Sequence, residues 1–309
     1  MNRVSTTGNY STVLANLMAA SQRQVNAGEM VATQKNGQDL KDFAKDAEML
    51  TAMRAVETRL TGFLDQNKMI ADKLTTQDFA LTQVTTAAQN TREAIEQALA
   101  SGRVDTLMQD INGYYRNALE GMNTRYGGKY LFSGGKIDTR PVEGEKLADL
   151  TTLYPTVDEF FHNDDFVVEA KVDDSTSVRT GILAKDVGAD MLQLYKDLQE
   201  FEEGPLGPLT GQLTEDQKTF LTGVLGQWDD LHSDLVNHTA RNGTVQARVE
   251  AVKSDLTTRS DSLKGMIGGI TDADMAQAAT ALQQAQLSVQ AAAQVFLSLQ
   301  DSSLLNVLR

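Results

Sequence analysis

The sequence predicts a mainly α protein: a long antiparallel, coiled-coil-like helical rod formed by the N- and C-terminal parts, with a small α+β module inserted. Three observations predict it. Two long heptad stripes flank the middle of the chain, only 4 prolines occur in 309 residues, and the acidic charge is concentrated between the stripes. Ala, Gln, Leu and Thr dominate the rest, a composition that leans toward helix.

The first stripe starts at Met49 and steps alternately by four and three residues. It runs through Met53, Val56, Leu60, Phe63, Asn67, Ile70, Leu74, Gln77, Leu81, Val84, Ala88, Thr91, Ile95 and Ala98. Such a stripe indicates one helix packed along its length against others. At a rise of ~1.5 Å per residue, the segment would be about 75 Å long. Asn67, Gln77 and Thr91 are expected to fix register at some cost in stability. A second helix is predicted from about Val104 to Arg125, ended by Gly127-Gly128, because glycine favours the position just past a helix end.

Composition then changes. Between Asp138 and Glu203 there are 17 acidic and 6 basic residues, a net of −11 within a chain of net −14. Phe166 to Val172 and Val178 to Leu183 read as two short strands around Asp173-Asp174-Ser175. A helix at about 188–203 is closed by Gly204-Pro205-Leu206-Gly207-Pro208. Helix resumes near Thr214, with Glu215 and Asp216 in the first turn, where acidic side chains suit the helix dipole. The second stripe passes through Val224, Trp228, Leu231, Leu235, His238, Asn242, Val245, Val249, Val252, Leu256, Arg259, Leu263, Met266 and Ile270. Two long stripes on either side of an insertion predict an antiparallel pair. The expected divisions are terminal assembly helices over 1–40 and 271–309, a helical rod over 41–130 and 210–270, and an inserted acidic module over 131–209.

The two ends have their own character. No charged residue occurs from Val4 to Gln22 or from Met275 to Gln300, and the second stretch holds seven glutamines. Its stripe is Met275, Ala278, Leu282, Ala285, Val289, Ala292, Phe296 and Leu299, separated from the preceding one by a cap-like Thr271-Asp272-Ala273-Asp274. An uncharged Ala/Gln helix offers little apolar area to offset its ordering entropy. It is expected to order by packing on the amino-terminal segment and on copies of itself. Charges are absent because burying them costs several kcal/mol per ion. The assembly-interface candidates are Val13, Leu14, Leu17, Met18, Leu282, Val289, Ala292, Phe296, Leu299, Leu304 and Leu305.

The net charge of −14 argues against nucleic-acid and anionic-membrane partners. There is no cysteine, hence no disulfide or thiolate metal site. The start of the chain lacks the pattern of a cleavable signal peptide, and no run of about 18 apolar residues occurs.

At this point the residues resemble a family. The ending, with Ile270-Thr271-Asp272-Ala273-Asp274, Ala279, Leu282, Gln286, Gln290-Ala291 and Ser303-Leu304-Leu305, resembles that of the flagellin superfamily. The start, Arg3-Val4-Ser5-Thr6 with Tyr10, is similar to that superfamily's amino terminus. Tyr130, Leu131, Phe132, Ser133 and Gly134, preceded by Gly128-Lys129 and followed by Pro141-Val142, resemble a motif of its hook-filament junction branch, the hook-associated protein 3 (FlgL) family. Asn242-Gly243 through Arg248-Val249 also fits that branch's returning helix. The proline-containing turn usual in the family after the first helix is missing. Here Gly28 to Thr33 leads into Gln34-Lys35-Asn36-Gly37-Gln38-Asp39, which leaves the shape of the loop around 33–42 open. The resemblance implies a structural protein of the bacterial flagellum, exported unfolded without a cleaved signal and placed outside the cell between hook and filament. Its implied partners are copies of itself in a ring, the neighbouring hook-associated and filament-side proteins, and an export chaperone on the carboxy-terminal helix.

No residues read as a catalytic, cofactor-binding or metal site. His232 and His238 are six apart and do not share a helix face, and His238 and Trp228 fall in the stripe as core positions. Asp164-Asp165 and Asp173-Asp174 lack the oxygen spacing of a calcium loop. Ser133 has neither a nucleophile elbow nor a paired histidine. The alternatives to a junction adaptor are a flagellin-type filament subunit and a cytoplasmic coiled-coil scaffold.

Overall fold

A computed structural model describes residues 3–307, with side chains described over 10–299. Helix α1 (Arg3–Thr33) leads into a loop holding a 3-10 turn at Leu40–Phe43. Helix α2 (Ala47–Ser101) stops at Gly102, whose φ of 69° turns the chain out of the helix. Helix α3 (Leu107–Met122) is followed by a tight hairpin of β1 (Arg125–Tyr126) and β2 (Lys129–Tyr130). Gly127 and Gly128 therefore make a hairpin turn and do not close the helix: both have positive φ, 58° and 82°, as a two-residue turn of this kind requires.

A one-turn helix α4 (Asp149–Thr152), a 3-10 turn (Val157–Phe160) and a second hairpin, β3 (Glu169–Lys171) with β4 (Ser177–Arg179), fill the middle. Helix α5 (Ala184–Glu203) precedes α6 (Glu215–Thr271) and α7 (Met275–Val307). Thr214 caps α6: its hydroxyl accepts the Gln217 N–H at 3.3 Å while Gln217 Oε1 accepts the Thr214 N–H at 3.1 Å, a reciprocal capping box.

The chain divides into two compact units, Met1–Leu60 with Thr258–Arg309, and Thr61–Thr257. In the second unit the first stripe is buried from Asn67 to Ala98, and Val224, Trp228, Leu231, Leu235, Asn242, Val249 and Leu256 are buried on α6. The two helices run antiparallel there. Gln77 Nε2 donates to Asn242 Oδ1 at 3.2 Å, Asn242 Nδ2 donates to the Leu74 carbonyl at 3.1 Å, and, further along, Arg92 pairs with Asp229.

The three polar residues in the stripe each have a specific partner distant in sequence. Gln77 meets Asn242, as above. Asn67 Nδ2 donates to the Val172 carbonyl at 2.8 Å, next to the β3–β4 turn, and Gln66 Nε2 donates to the Lys171 carbonyl at 2.8 Å. Val172 and Val178 complete a small apolar cluster with Ile70, Leu74 and Val249. Thr91 shares a 2.9 Å hydrogen bond with the Tyr195 hydroxyl on α5. Only Gln77 acts across the α2–α6 pair; the other two anchor the middle segment.

The acidic middle also builds the main core. Val142, Leu147, Leu150, Val157 and Phe160 join Ile95, Ile111, Tyr115 and Trp228 in one cluster. Burying each large side chain contributes roughly 1.5–3 kcal/mol. Tyr195 packs edge-on against both Tyr115 and Trp228, with ring centroids 5.4 and 4.9 Å apart.

The stripes drift where a strict four-three step is extended too far. Met49 and Val56 are exposed while Leu50 is fully buried, and on α6 Arg259 and Met266 are exposed while Ser260 is buried. A straight helix of 3.6 residues per turn slips ~20° per heptad against a 3.5 repeat, so neighbouring positions take over the buried places.

Candidate functional site

The residues expected to carry assembly lie in the first unit, on α1 and α7. These helices pair with each other in an antiparallel sense. Tyr10 and Phe296 meet at one end, with ring centroids 5.0 Å apart, and Gly28 faces Leu282 near the other. The packed face of α1 is a four-three ladder, Val13, Leu17, Ala20, Gln24 and Ala27, with Ala20 and Ala27 fully covered. On α7, Ala278 and Ala285 are buried, and Leu282, Val289, Ala292, Phe296 and Leu299 are half-buried along the same line. Small alanines at the seam allow the two backbones to approach closely, as in other tightly packed helix pairs.

The expected α1 candidates split. Val13 and Leu17 enter the seam, whereas Leu14 and Met18 point away from it, Met18 with 62% of its surface exposed. Positions 13, 14, 17 and 18 span two neighbouring stripes, and one partner helix covers only one of them. Val25 on α1 and Leu287, Val295 and Leu297 on α7 are exposed as well. Apolar side chains thus remain exposed outside the covered seam. Sequence reasoning missed Leu287, Val295 and Leu297; the signal was the apolar content of α7 outside its single heptad line. The side chains of Leu304 and Leu305 lie outside the described residues.

The loop at 33–42 has a defined shape. Gln34 takes a φ of 59°, after which the chain forms an antiparallel bridge with the α6–α7 turn. The Asn36 N–H donates to the Thr271 carbonyl at 2.8 Å, and the Ala273 N–H donates to the Gln34 carbonyl at 2.9 Å. The Lys35 ammonium meets the Asp272 carboxylate and, together with the Thr271 hydroxyl, holds it below the usual carboxylate range. Asp274 caps α7 by accepting the N–H groups of Ala276 and Gln277 at 2.9 and 3.2 Å. This bridge stands where a proline-containing turn was missing.

The motif Tyr130 to Gly134 lies in the second unit. Leu131, Phe132, Ser133 and Gly134 are buried, and the Phe132 carbonyl accepts the Ala184 N–H at 2.9 Å, which ties the motif to the start of α5. The Ser133 hydroxyl donates to the Tyr130 carbonyl at 3.3 Å. Gly134 has a φ of 68°, and a Cβ there would collide with Asp164. The motif is thus a structural joint.

His162 bonds Glu143 at 2.9 Å, and Tyr154 donates to the same carboxylate; these bonds hold Glu143 below the ordinary carboxylate range. His238 is half-buried, and burial together with the Arg241 charge pulls its imidazole below its ordinary value. Among the described residues, no group of three or more His, Cys, Asp or Glu is placed to hold a metal ion. No helix among them is long and apolar enough to cross a membrane.

Residues 225–308 match the family model of the bacterial flagellin C-terminal helical region. No curated protein matches the full sequence. Among solved structures, a protein of Vibrio parahaemolyticus described as a flagellar hook-associated protein superposes with a TM-score of 0.60 at 14% identity, covering 75% of this chain and 100% of that one. Bacillus cereus FlgL superposes with a TM-score of 0.53 at 16% identity, covering 71% and 99%. At these identities the two structures establish a shared fold.

Proposed function

From a chain that ends in a flagellin-type C-terminal helical region, we propose a structural component of the bacterial flagellum, an adaptor joining hook to filament through packing of its terminal helices. The observation that carries this reading is the α1–α7 pair: one seam covered within the chain, and apolar side chains such as Leu14, Met18 and Leu287 left exposed outside it. Burying such a surface is favourable at ~25 cal/mol per Å². With no charge from Val4 to Gln22 or from Met275 to Gln300, there is no ionic penalty to oppose it. The chemistry is that of packing. No residue is assigned a catalytic role.

The finer reading places identical copies in a ring outside the cell, between a neighbouring hook-associated protein and the filament-side proteins. Export occurs without a cleaved signal, with a chaperone covering the carboxy-terminal helix. In this reading 1–40 and 271–309 are the assembly helices, and Val13, Leu17, Leu282, Val289, Ala292, Phe296 and Leu299 hold the pair together. Leu14 and Met18 face the neighbours. A flagellin-type filament subunit is the second reading, favoured by the match of residues 225–308 to the flagellin C-terminal region.

Electron microscopy of cells lacking the gene, with antibody labelling of wild-type flagella, separates the readings. Hooks without filaments and label confined to the hook-filament boundary are expected. Label along the whole filament would make the chain a filament subunit, and normal flagella without label would sink both. As a second arm, Val289→Glu should abolish incorporation while leaving the Trp228 emission of the second unit unchanged. Normal motile filaments in that variant would refute the packing role of α7.

A further inference from the structure

In the second unit a cleft of about 580 Å³ lies among α3, the β1–β2 hairpin and residues 140–145. Three guanidinium groups line it, from Arg116, Arg125 and Arg140. Arg125 sits over the Tyr130 ring, 4.1 Å from its centroid, and Arg140 donates to the Gly144 carbonyl at 3.3 Å. None of the three forms an ion pair, although Glu120 and Glu145 line the same cleft. Elsewhere in this unit Arg92, Arg103 and Arg179 are paired with Asp229, Asp105 and Glu169. Arg241 and Arg248 likewise form no ion pair, and the Arg140 charge helps to lower the Glu143 carboxyl; what sets the cleft apart is that three arginines line one space.

A guanidinium presents a planar fork of donors that matches carboxylates and binds them more strongly than it binds neutral acceptors. The same chain carries the complement. Residues 138–203 hold 17 acidic against 6 basic residues, and Asp165, Asp186 and Asp190 are exposed there, the Asp186 charge also acting on His238. None of these three lines the cleft. A closed ring of identical subunits needs two different, complementary surfaces on every copy, so that each contact is head-to-tail.

We propose that the Arg116–Arg125–Arg140 cleft receives carboxylates from the 138–203 segment of a second copy of this chain, forming the lateral contact between neighbouring subunits. This rests on the assembly reading given above and adds the surfaces that meet. It gives Tyr130, the first residue of the motif, the further task of holding Arg125 at the cleft.

The test uses the full chain in assembled flagella. A photoreactive benzoylphenylalanine replaces Arg116, isolated flagella are irradiated, and the adduct is mapped by mass spectrometry. Should that variant fail to incorporate, the same probe at Glu120 reports on the same cleft. The expected product is a chain-to-chain adduct ending within residues 138–203, reduced several-fold when Asp165, Asp186 and Asp190 are together changed to Asn. An adduct ending elsewhere in the chain or on another protein would overturn the proposal. So would no adduct in flagella where antibody finds the probe-bearing chain. Antibody finding no wild-type chain on flagella at all would defeat the assembly reading, and this proposal with it.

Discussion

Thr91 and Tyr195 are both fully buried and share one hydrogen bond, which makes the anchoring of α5 on α2 testable by a double-mutant cycle. The two partners are not equivalent. The Thr91 hydroxyl also bonds the Ala87 carbonyl at 2.8 Å, so in Tyr195→Phe it keeps a partner, and the change costs about 0.5–1.5 kcal/mol. In Thr91→Val the Tyr195 hydroxyl stays buried with nothing to bond, and the cost rises to about 1–3 kcal/mol. Changing both removes both hydroxyls, so the double variant should be more stable than Thr91→Val alone. Trp228 is the only tryptophan and its ring lies 4.9 Å from that of Tyr195, so its emission in a urea titration reads the unfolding of this core. With a slope of about 2–3 kcal/mol per molar urea, Thr91→Val should lower the midpoint by roughly 0.3–1.5 M. If Tyr195→Phe costs as much as Thr91→Val, or if the two losses simply add, the hydrogen bond is not what justifies a threonine in the stripe.

Two further perturbations test other parts of the same unit. Gly144 has a φ of 117°, and a Cβ there would sit 2.6 Å from the Tyr115 hydroxyl; Gly144→Ala should cost about 1–3 kcal/mol. Gly102→Ala, with a φ of 69° and open space around it, is the control and should lower the thermal midpoint less. His238 is held below its ordinary value by burial and Arg241, against the opposing charges of Asp186 and Asp234. As pH falls below about 6.5 the unfolded chain takes up the proton before the folded one does, so stability is lost until the folded imidazole is itself protonated. The thermal midpoint should therefore drop between about pH 7.5 and 5.5, and less so in His238→Gln. An identical drop in that variant would remove His238 from the account.

What the sequence revealed and what it hid follow from the range of the interactions involved. The stripe from Asn67 to Ala98 was legible because helical periodicity is local, and no proline interrupts it. At Met49, Val56 and Arg259 the same rule misplaced the buried face, because a four-three ladder accumulates angular error. Asn67 and Thr91 looked like register-fixing residues between long helices. Their partners, Val172 and Tyr195, are more than 100 positions away and leave no periodic trace. The acidic segment read as an outlying insertion because its charges were counted, yet Leu150, Val157 and Phe160 are core. At the candidate interface, uncharged composition pointed to α1 and α7. It did not show which of two adjacent stripes each helix would keep for itself, so Leu14 and Met18 were grouped with Val13 and Leu17.

The bridge at Gln34–Asn36 and Thr271–Ala273 sets a direction for the opening of the α1–α7 pair. The two helices resemble a zipper with a fixed stop: backbone bonds and the Lys35–Asp272 pair close one end, while the Tyr10–Phe296 ring contact lies toward the other. Opening of the pair is therefore held back at the bridge, and helix turns part freely only away from that stop. Even fully parted, the helices stay tethered at the bridge, so they re-pair as one molecule at a high effective concentration without a fresh encounter.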